Sequence, residues 1–400
     1  MRTAMISSNA PSEDTMTCPI CQAGSSNNFF TICGLPINVC VQWPSHTEAV
    51  NCPRGDINLA YCTSCGHVWN DAFDIDKLNY TQQYENSLFC SPIYRHYSSG
   101  IVDKLIDRYT IRNKKVIDIG CGKGDFLNML CKVGSNNGIG FDTSFDGENN
   151  INESNYEVIK DFYSKKYAHI TADLVCSRYV FEHIADPMPF LRSARQSLAQ
   201  NDRAVMYFEV PNAELIFKRL SVWDIIYEHF SYFSRSSLSY AFTTAGFDIV
   251  DLYHGFDSQF LSIEAKPAAA NMEKSRKFKE DLAAIENHVL NFPAAFKSRF
   301  SSFKRLIDSF ILKDKKIVLW GAGAKGVNLL NMLKISHEIP YVVDINQKKH
   351  GKFVAGTGQK IVAPDFLRTY KPDIIHIANP VYTDEIKGII NSMDINPLYI

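Results

Sequence analysis

The stretch that decides the fold is "KKVIDIGCGKGDFLNML", residues 114–130. An apolar strand is expected to end at Asp118, the chain to turn through Gly120, Gly122 and Gly124, and a helix to begin directly after the third glycine. Glycines let the backbone approach a ligand closely and adopt conformations that other residues resist. Alone, such a turn is compatible with any nucleotide-type cofactor.

Residues 76–265 continue this alternation of apolar runs and amphipathic stretches. The runs "KVIDIG", "NGIGFD", "ADLVCS" and "AVMYFEV" have the continuous apolar character of buried parallel strands. The sequence therefore predicts a doubly wound α/β domain over 76–265.

A second strand-turn-helix pattern begins at "KKIVLWGAGAKGVNLLNML" and predicts a smaller Rossmann-like α/β unit over residues 313–400. Its turn matches G-x-G-x-x-G as Gly321, Gly323 and Gly326, the pattern of an NAD-binding site. Residues 266–312 lie between the two units, and we expect them to form a helical connector that is broken near Pro293.

Charged residues near the second turn point to a different ligand. Asp344 occupies the place where a dinucleotide domain keeps its ribose acid, whereas Lys325 lies within the turn and Lys348 beyond it. These lysines favour a phosphate-bearing substrate as readily as a cofactor.

Composition narrows the class of protein. The 400 residues are 46% hydrophobic with a formal net charge of −1, so two or three domains are expected and no basic face for nucleic acid is indicated. No apolar run is long enough for a secretory signal or a membrane span, which favours a cytoplasmic location without a membrane partner. Residues 1–16 are expected to form a mobile leader, and the oligomeric state stays undetermined.

Seven of the eleven cysteines fall between Cys18 and Cys65, in a stretch too poor in apolar residues to build its own core. Two C-x-x-C pairs, Cys18 with Cys21 and Cys62 with Cys65, supply four thiolates, and the cysteines of the insert between them, Cys33, Cys40 and Cys52, could substitute. Four thiolates satisfy a tetrahedral Zn²⁺ and leave no open position. Residues 17–75 are therefore predicted to be a module with a structural zinc site.

The pattern D-I-G-C-G-x-G, with a second acid at the end of the next strand in "GIGFD", resembles the class I S-adenosylmethionine-dependent methyltransferases. The resemblance implies that this second acid accepts the ribose hydroxyls and that "KDFYS" forms the adenine edge. An acid leading into the turn would repel the phosphates of a dinucleotide. The cofactor residues implied are Asp118, Gly120, Gly122, Gly124, Phe126, Asp142, Asp161, Phe162 and Ser177.

The segment "WDIIYEHFSYFS", residues 223–234, places Glu228 and His229 among aromatic residues. Read alone, it predicts a packed aromatic helix with a satisfied histidine. An active-site base in an apolar pocket is the competing hypothesis. The rest of the chain favours the second.

The cysteine module, the methyltransferase core, "YEHFSYFS" and the glycine-rich terminal unit together resemble the sugar C-methyltransferases that act on nucleotide-linked ketosugars. The resemblance implies that His229 is the general base, Glu228 its acidic partner, and a tyrosine ahead of the core a contact to the sugar. We favour Tyr84 over Tyr80 for this tyrosine. His183, in "SRYVFEHIADP", is either structural or a contact to substrate, and Tyr84 or His183 is expected to donate to the enolate oxygen.

Substrate contacts are expected from the aromatic segment and from the terminal unit. The residues assigned to them are Tyr227, Tyr232, Gly321, Gly323, Lys325, Gly326, Asp344 and Lys348.

Two departures from the family pattern leave the acceptor atom open. Ile226 stands where the family commonly has tyrosine, and "ANPVYTDEI" stands where Trp-Asn is usual. An O- or N-methyltransferase of a small metabolite is therefore the first alternative. An NAD(P)-binding reductase or nucleotide sensor is the second.

Overall fold

The computed structural model describes five stretches of the chain together with the backbone of a two-residue strand, β1 (Ile6–Ser7). The stretches are residues 16–78, 84–147, 155–198, 203–268 and 278–400. Most of the leader expected at residues 1–16 lies outside them, as does Tyr80.

The N-terminal module is a small antiparallel sheet held at one end by the cysteine pairs. Its further elements are β2 (Ser26–Pro36), α1 (His46–Val50), β3 (Arg54–Cys62) and β4 (Val68–Asn70). Cys62 ends β3 and Cys65 lies in the turn to β4, so the hairpin brings one cysteine pair to its tip. The other pair precedes β2, the strand that pairs with β3.

The central domain carries a seven-stranded sheet. Its elements in chain order are α2 (Pro92–Tyr109), β5 (Lys115–Ile119), α3 (Asp125–Gly134), β6 (Asn137–Phe141), β7 (Tyr156–Ile159), β8 (Leu174–Arg178), α4 (Pro187–Gln196), β9 (Val205–Pro211), α5 (Ala213–Arg219), β10 (Ser231–Tyr232), α6 (Arg235–Thr244), β11 (Phe247–Gly255) and β12 (Phe260–Pro267). The short strand β10 leaves this domain and pairs with β4 of the N-terminal module.

The strand order places the first glycine-rich turn at the centre of this sheet. The order is β11-β12-β9-β8-β5-β6-β7, in which β12 runs antiparallel to β9 and the strands from β9 to β7 are parallel. The chain reverses its direction of winding between β5 and β8, and ligands of such sheets bind at the carboxyl ends of the strands beside that point.

The connector is one helix, α7 (Phe278–Ile311), so the break expected near Pro293 is absent. Proline has no N–H to donate and disfavours a helix interior. Here Phe292 and Phe296 on either side are fully buried and pack edge-on against Phe30 of β2. This packing stabilises the helical path through the proline.

The C-terminal unit is a five-stranded parallel sheet of order β15-β14-β13-β16-β17. Its elements are β13 (Ile317–Trp320), α8 (Ala324–Leu333), β14 (Tyr341–Val343), β15 (Lys360–Val362), α9 (Leu367–Tyr370), β16 (Ile374–Ile377), α10 (Thr383–Asn391) and β17 (Leu398–Tyr399). The central strand of this sheet, β13, leads into the second glycine-rich turn. β14 and β15 lie on one side of it and β16 and β17 on the other, as in a doubly wound domain.

The N-terminal module joins the two α/β units. Cys18, Cys62 and Trp69 share a buried apolar cluster with the central sheet, whereas Val39 and Cys40 share one with the C-terminal unit. The three parts therefore pack around a common centre. Within the described part of the chain, no helix has the length and apolarity that a bilayer crossing requires.

Candidate active site

A cavity of about 820 Å³ lies between the three parts of the molecule. Both glycine-rich turns line it, one at Gly120 and Gly122 and the other at Gly321 and Gly323. Val39 and Cys40 of the N-terminal module close one side. A single space thus faces the ligand ends of two parallel sheets.

The first turn and the acid after β6 form one structural unit. Asp142 accepts the N–H of Gly122 at 2.8 Å with one carboxylate oxygen, and its other oxygen accepts the N–H and hydroxyl of Ser144 at 2.8 and 2.6 Å. Gly120 has φ +72°, and a Cβ there would collide with Val180. Only glycine fits this turn, which leaves the backbone open to a ligand.

Asp118 lies fully buried below this turn, and burial raises the pKa of its carboxyl to about 7, with Arg178 opposing the shift and Asp142 adding to it. Asp161 and Phe162 line the cavity near the surface. The Asp161 carboxylate accepts the Tyr167 hydroxyl at 2.6 Å, and this hydrogen bond lowers its pKa.

The remaining predicted cofactor residues differ in position. Phe126 lines the cavity and carries the Arg178 guanidinium 4.3 Å above its ring. Gly124, with φ +84°, starts α3 but does not line the cavity. Ser177 is buried in β8 and likewise does not reach the cavity wall. The glycines, carboxylates and open turn nevertheless fit an adenosine-bearing cofactor.

Glu228 and His229 both line the cavity and are almost fully buried. The segment that carries them is an irregular turn between a short 3₁₀ turn at Val222–Asp224 and β10, so the packed helix expected from the sequence is absent. Burial lowers the pKa of His229 well below its ordinary value, and His183 and Lys325 lower it further. The imidazole is therefore neutral at physiological pH and competent to accept a proton.

The Glu228 carboxyl is held from the N-terminal module. Its Oε2 accepts the Val39 N–H at 3.3 Å. Burial raises the pKa of Glu228 to about 7, although hydrogen bonds from Val39 and Tyr84 oppose this rise. Tyr84 lines the cavity and contacts the acid that precedes the candidate base. The tyrosine predicted to contact the sugar, Tyr84, is therefore hydrogen bonded to Glu228, the acid predicted to assist His229.

His183 packs beside the candidate base. Its ring centroid lies 5.0 Å from that of His229, and its Nδ1 is 2.8 Å from the Glu228 carbonyl oxygen. A carbonyl only accepts, so Nδ1 carries the proton. Burial lowers the pKa of His183 to about 4, which keeps the ring neutral.

The second turn repeats the geometry of the first. Asp344 accepts the Ala322 N–H at 2.9 Å with one oxygen and the Asn346 N–H at 2.8 Å with the other. Lys349, which is buried, donates to the same carboxylate at 3.2 Å and lines the cavity. Lys325 also lines it and forms an ion pair with Asp224.

Three predicted substrate residues do not reach the cavity. The Tyr227 hydroxyl accepts the Asp74 N–H at 3.1 Å, and the Tyr232 hydroxyl donates to the Ile226 carbonyl at 3.0 Å. Both rings are buried in the core of the N-terminal module. Lys348 points to the surface, 3.7 Å from Glu85. Gly326, like the other turn glycines, lines the cavity.

Lys349 and Glu182 are among the cavity residues that were not assigned from the sequence. Lys349, rather than Lys348, lines the cavity. The two residues belong to a short 3₁₀ turn, and the sequence does not reveal which of its side chains faces inward. Glu182 precedes His183 in the same quoted loop and is 1% exposed. The sequence shows only that an acid adjoins a histidine in this loop, and the burial of that acid is visible only in the structure.

The four cysteines of the two C-x-x-C pairs converge. Cys18 and Cys65 sulfurs are 3.7 Å apart, Cys21 and Cys62 sulfurs 3.5 Å, and all four lie within 4.8 Å of one another. Sulfurs about 2.3 Å from a central ion at tetrahedral angles have nearly this spacing. The donor set fits a structural Zn²⁺.

Zinc content and thermal stability test this site. The purified protein is expected to contain one zinc per chain, and Cys62→Ser is expected to lose it and to lower the unfolding temperature by about 10 °C, because a closed site contributes folding free energy. Metal analysis and calorimetry measure both effects. Cys90→Ser, at an exposed cysteine outside the cluster, is the matched control. Equal zinc content in both variants would contradict the assignment.

Comparison with known proteins places these features in context. A family model described as a methyltransferase domain matches residues 94–252, and one described as a C-methyltransferase C-terminal domain matches residues 258–393. C-methyltransferase NovU of Streptomyces niveus is 26% identical over 305 residues, which are 72% of this chain and 71% of that protein. The class I methyltransferase α/β fold with a second C-terminal unit is thereby confirmed.

Solved structures match part of the chain. An S-adenosylmethionine-dependent methyltransferase from Clostridium acetobutylicum is 12% identical and covers 44% of this chain and 92% of its own, with a TM-score of 0.36. Magnesium protoporphyrin IX methyltransferase from Synechocystis PCC 6803 with bound S-adenosylhomocysteine is 14% identical and covers 44% and 84%, with a TM-score of 0.35.

Proposed function

We propose that the chain, an S-adenosylmethionine-dependent methyltransferase, methylates the carbon next to the ketone of a nucleotide-linked deoxyketosugar. The observation that carries this proposal is the placement of His229 and Glu228 in a cavity shared by both glycine-rich turns. Bound S-adenosylmethionine supplies an electrophilic methyl group at the first turn.

Methylation at carbon requires a base, because the carbon beside the ketone must first lose a proton. His229 is neutral, so its ring nitrogen accepts that proton. Glu228, whose Oε2 accepts the Val39 N–H, precedes it in the chain and is proposed to stabilise the imidazolium that forms. Acceptors at oxygen or nitrogen need less basic assistance, which favours carbon over the first alternative.

The C-terminal turn is proposed to hold the nucleotide part of the substrate. Gly321 and Gly323 leave the backbone open, and Lys349 and Lys325 supply positive charge at the cavity wall. The turn lies within the region matched by the C-methyltransferase C-terminal domain, which favours a substrate site over the NAD-binding alternative. The zinc module is proposed to be structural, because a closed four-sulfur site has no position for substrate.

A screen of acceptors tests the proposed reaction. Methyl-labelled S-adenosylmethionine is incubated with 4-keto-6-deoxyhexoses linked to thymidine, uridine or guanosine diphosphate, and the product is analysed by NMR. We expect a new methyl-carbon bond beside the ketone with at least one sugar nucleotide. The same compounds with the ketone reduced to an alcohol are the control. Methylation at oxygen of both forms would contradict the proposal.

A further inference from the structure

We propose that Glu182 is a further catalytic residue, whose protonated carboxyl group donates a hydrogen bond to the ketone oxygen while His229 takes the proton from the adjacent carbon. This inference rests on the proposed function and assigns the group that stabilises the enolate. It replaces the expectation that Tyr84 or His183 is that donor.

The position of Glu182 supports this role. It lies in the 3₁₀ turn Phe181–His183 that follows β8, and it lines the cavity. One of its carboxyl oxygens lies within 4.8 Å of ring nitrogens of both His183 and His229. Its Oε1 is 4.0 Å from His183 Nε2. An acid and a base therefore face the same small volume.

The side chain is buried without a hydrogen-bond partner. It is 1% exposed, and neither carboxyl oxygen has a partner among the described residues. Leaving a buried polar group unpaired is unfavourable, so a ligand that supplies the missing partner is favoured. A ketone oxygen is such a partner only for a carboxyl group that carries its proton.

The environment keeps that proton in place. Burial, with a smaller contribution from the carboxylate of Glu209, raises the pKa of Glu182 to about 8. The backbone N–H of Glu182 itself opposes this rise only in part. The titratable groups on β9 and β10, which pack against this turn, are Tyr207, Glu209 and Tyr232, and His183 and His229 lie beside it. Neighbouring groups whose pKa values are driven apart mark an acid and a base.

The other candidate donors have different roles in this structure. His183 is neutral and donates its Nδ1 proton to the Glu228 carbonyl, so its Nε2 is an acceptor. Tyr84 hydrogen bonds to Glu228. Glu182 remains as a neutral acid adjacent to the base.

The electron count of the step is balanced. The C–H bond breaks and its proton moves to His229, while its electron pair forms the carbon–carbon double bond. The carbonyl π pair moves to the oxygen, where the Glu182 O–H donates. The double-bond pair then attacks the methyl carbon, the sulfur–methyl bond breaks with its pair on sulfur, and the C=O bond re-forms. The proton on His229 passes to solvent.

Two substitutions distinguish the donor from a merely structural acid. Glu182→Gln keeps an N–H donor without a titratable proton, and we expect its kcat to stay within about tenfold of the unmodified enzyme. Glu182→Leu keeps the bulk but donates nothing, and its kcat is expected to fall by about 10²–10³-fold with little change in KM, because the bond strengthens in the transition state. Equal rates for the two variants would overturn the proposal.

The pH profile gives a second readout. Activity of the unmodified enzyme is expected to decline as pH rises through about 8, where Glu182 loses its proton. This alkaline limb should shift or disappear in Glu182→Gln. Infrared difference spectra between these two proteins should show a protonated carboxyl band at pH 6.5, independently of any substrate. Absence of that band would overturn the proposal.

Solvent deuterium exchange separates this inference from the proposed function. Failure of the unmodified enzyme to exchange or methylate any ketosugar of the panel would contradict the proposed function itself. Exchange by Glu182→Leu at the unmodified rate would contradict only the role of Glu182. Metal analysis gives a further outcome. If the unmodified enzyme binds a second metal ion that Glu182→Gln loses, Glu182, His183 and His229 are metal ligands, and the proposed role of Glu182 is overturned.

Discussion

Replacement of His229 by asparagine is expected to lower kcat by about 10³-fold and to abolish solvent deuterium exchange into the ketosugar. A positioned general base contributes about 10²–10⁴-fold, and asparagine fills the site without accepting the proton. Methyl transfer from a labelled donor and NMR of the recovered sugar measure the two effects. Exchange at the unmodified rate would exclude His229 as the base.

The pH dependence follows from the environment of the same histidine. Burial lowers the pKa of His229, so the neutral, active form persists to lower pH than an exposed histidine allows. We expect kcat/KM to fall on the acid side only at a pH well below 6.5. An acid limb near or above 6.5 would contradict this assignment.

A matched control is available in the C-terminal unit. His376 is also largely buried, and burial lowers its pKa to about 4, but it does not line the cavity. His376→Asn is expected to leave exchange and methyl transfer close to the unmodified rates. Comparing His229→Asn with His376→Asn separates the effect of losing a histidine in the cavity from the general effect of losing a buried histidine.

Local patterns in the sequence predicted the framework of the site. The glycine-rich turns and the acids Asp142 and Asp344 follow directly from strand ends, because the carboxyl ends of neighbouring parallel strands meet at one edge. Glycines with positive φ, such as Gly120, are required by the turn itself. These features depend on short-range geometry, which the residue order encodes.

Long-range packing determines what the sequence left open. Val39 N–H and Glu228 are 189 residues apart, and only the docking of the N-terminal module brings them together. Tyr227 was assigned to the substrate as part of the aromatic segment at residues 223–234. In the irregular turn it instead points into the core, where it packs against Gly55 and Phe73. Side-chain direction in such a turn depends on tertiary contacts.

The same holds for the acid and the lysine that the sequence did not assign. Glu182 becomes conspicuous only because the fold buries it without a partner beside His229. Lys349 becomes a cavity residue because the short turn after β14 directs Lys348 outward. Burial and direction, rather than residue type, distinguish them.

Matched substitutions at the two repeated acids are expected to separate the two halves of the cavity. Asp142→Ala removes the carboxylate that organises the first turn and that we propose for the ribose hydroxyls. The Kd for S-adenosylmethionine should therefore rise by about 10²-fold, since hydrogen bonds to a charged group contribute about 1.5–3 kcal/mol each.

Asp344→Ala makes the same change in the second turn and should leave the Kd for S-adenosylmethionine within about twofold. It should instead weaken thymidine diphosphate binding. Calorimetric titration of both ligands into both variants measures the four values. Loss of both ligands in Asp344→Ala would contradict the division, because Asp142 accepts the Gly122 N–H of the first turn and Asp344 the Ala322 N–H of the second.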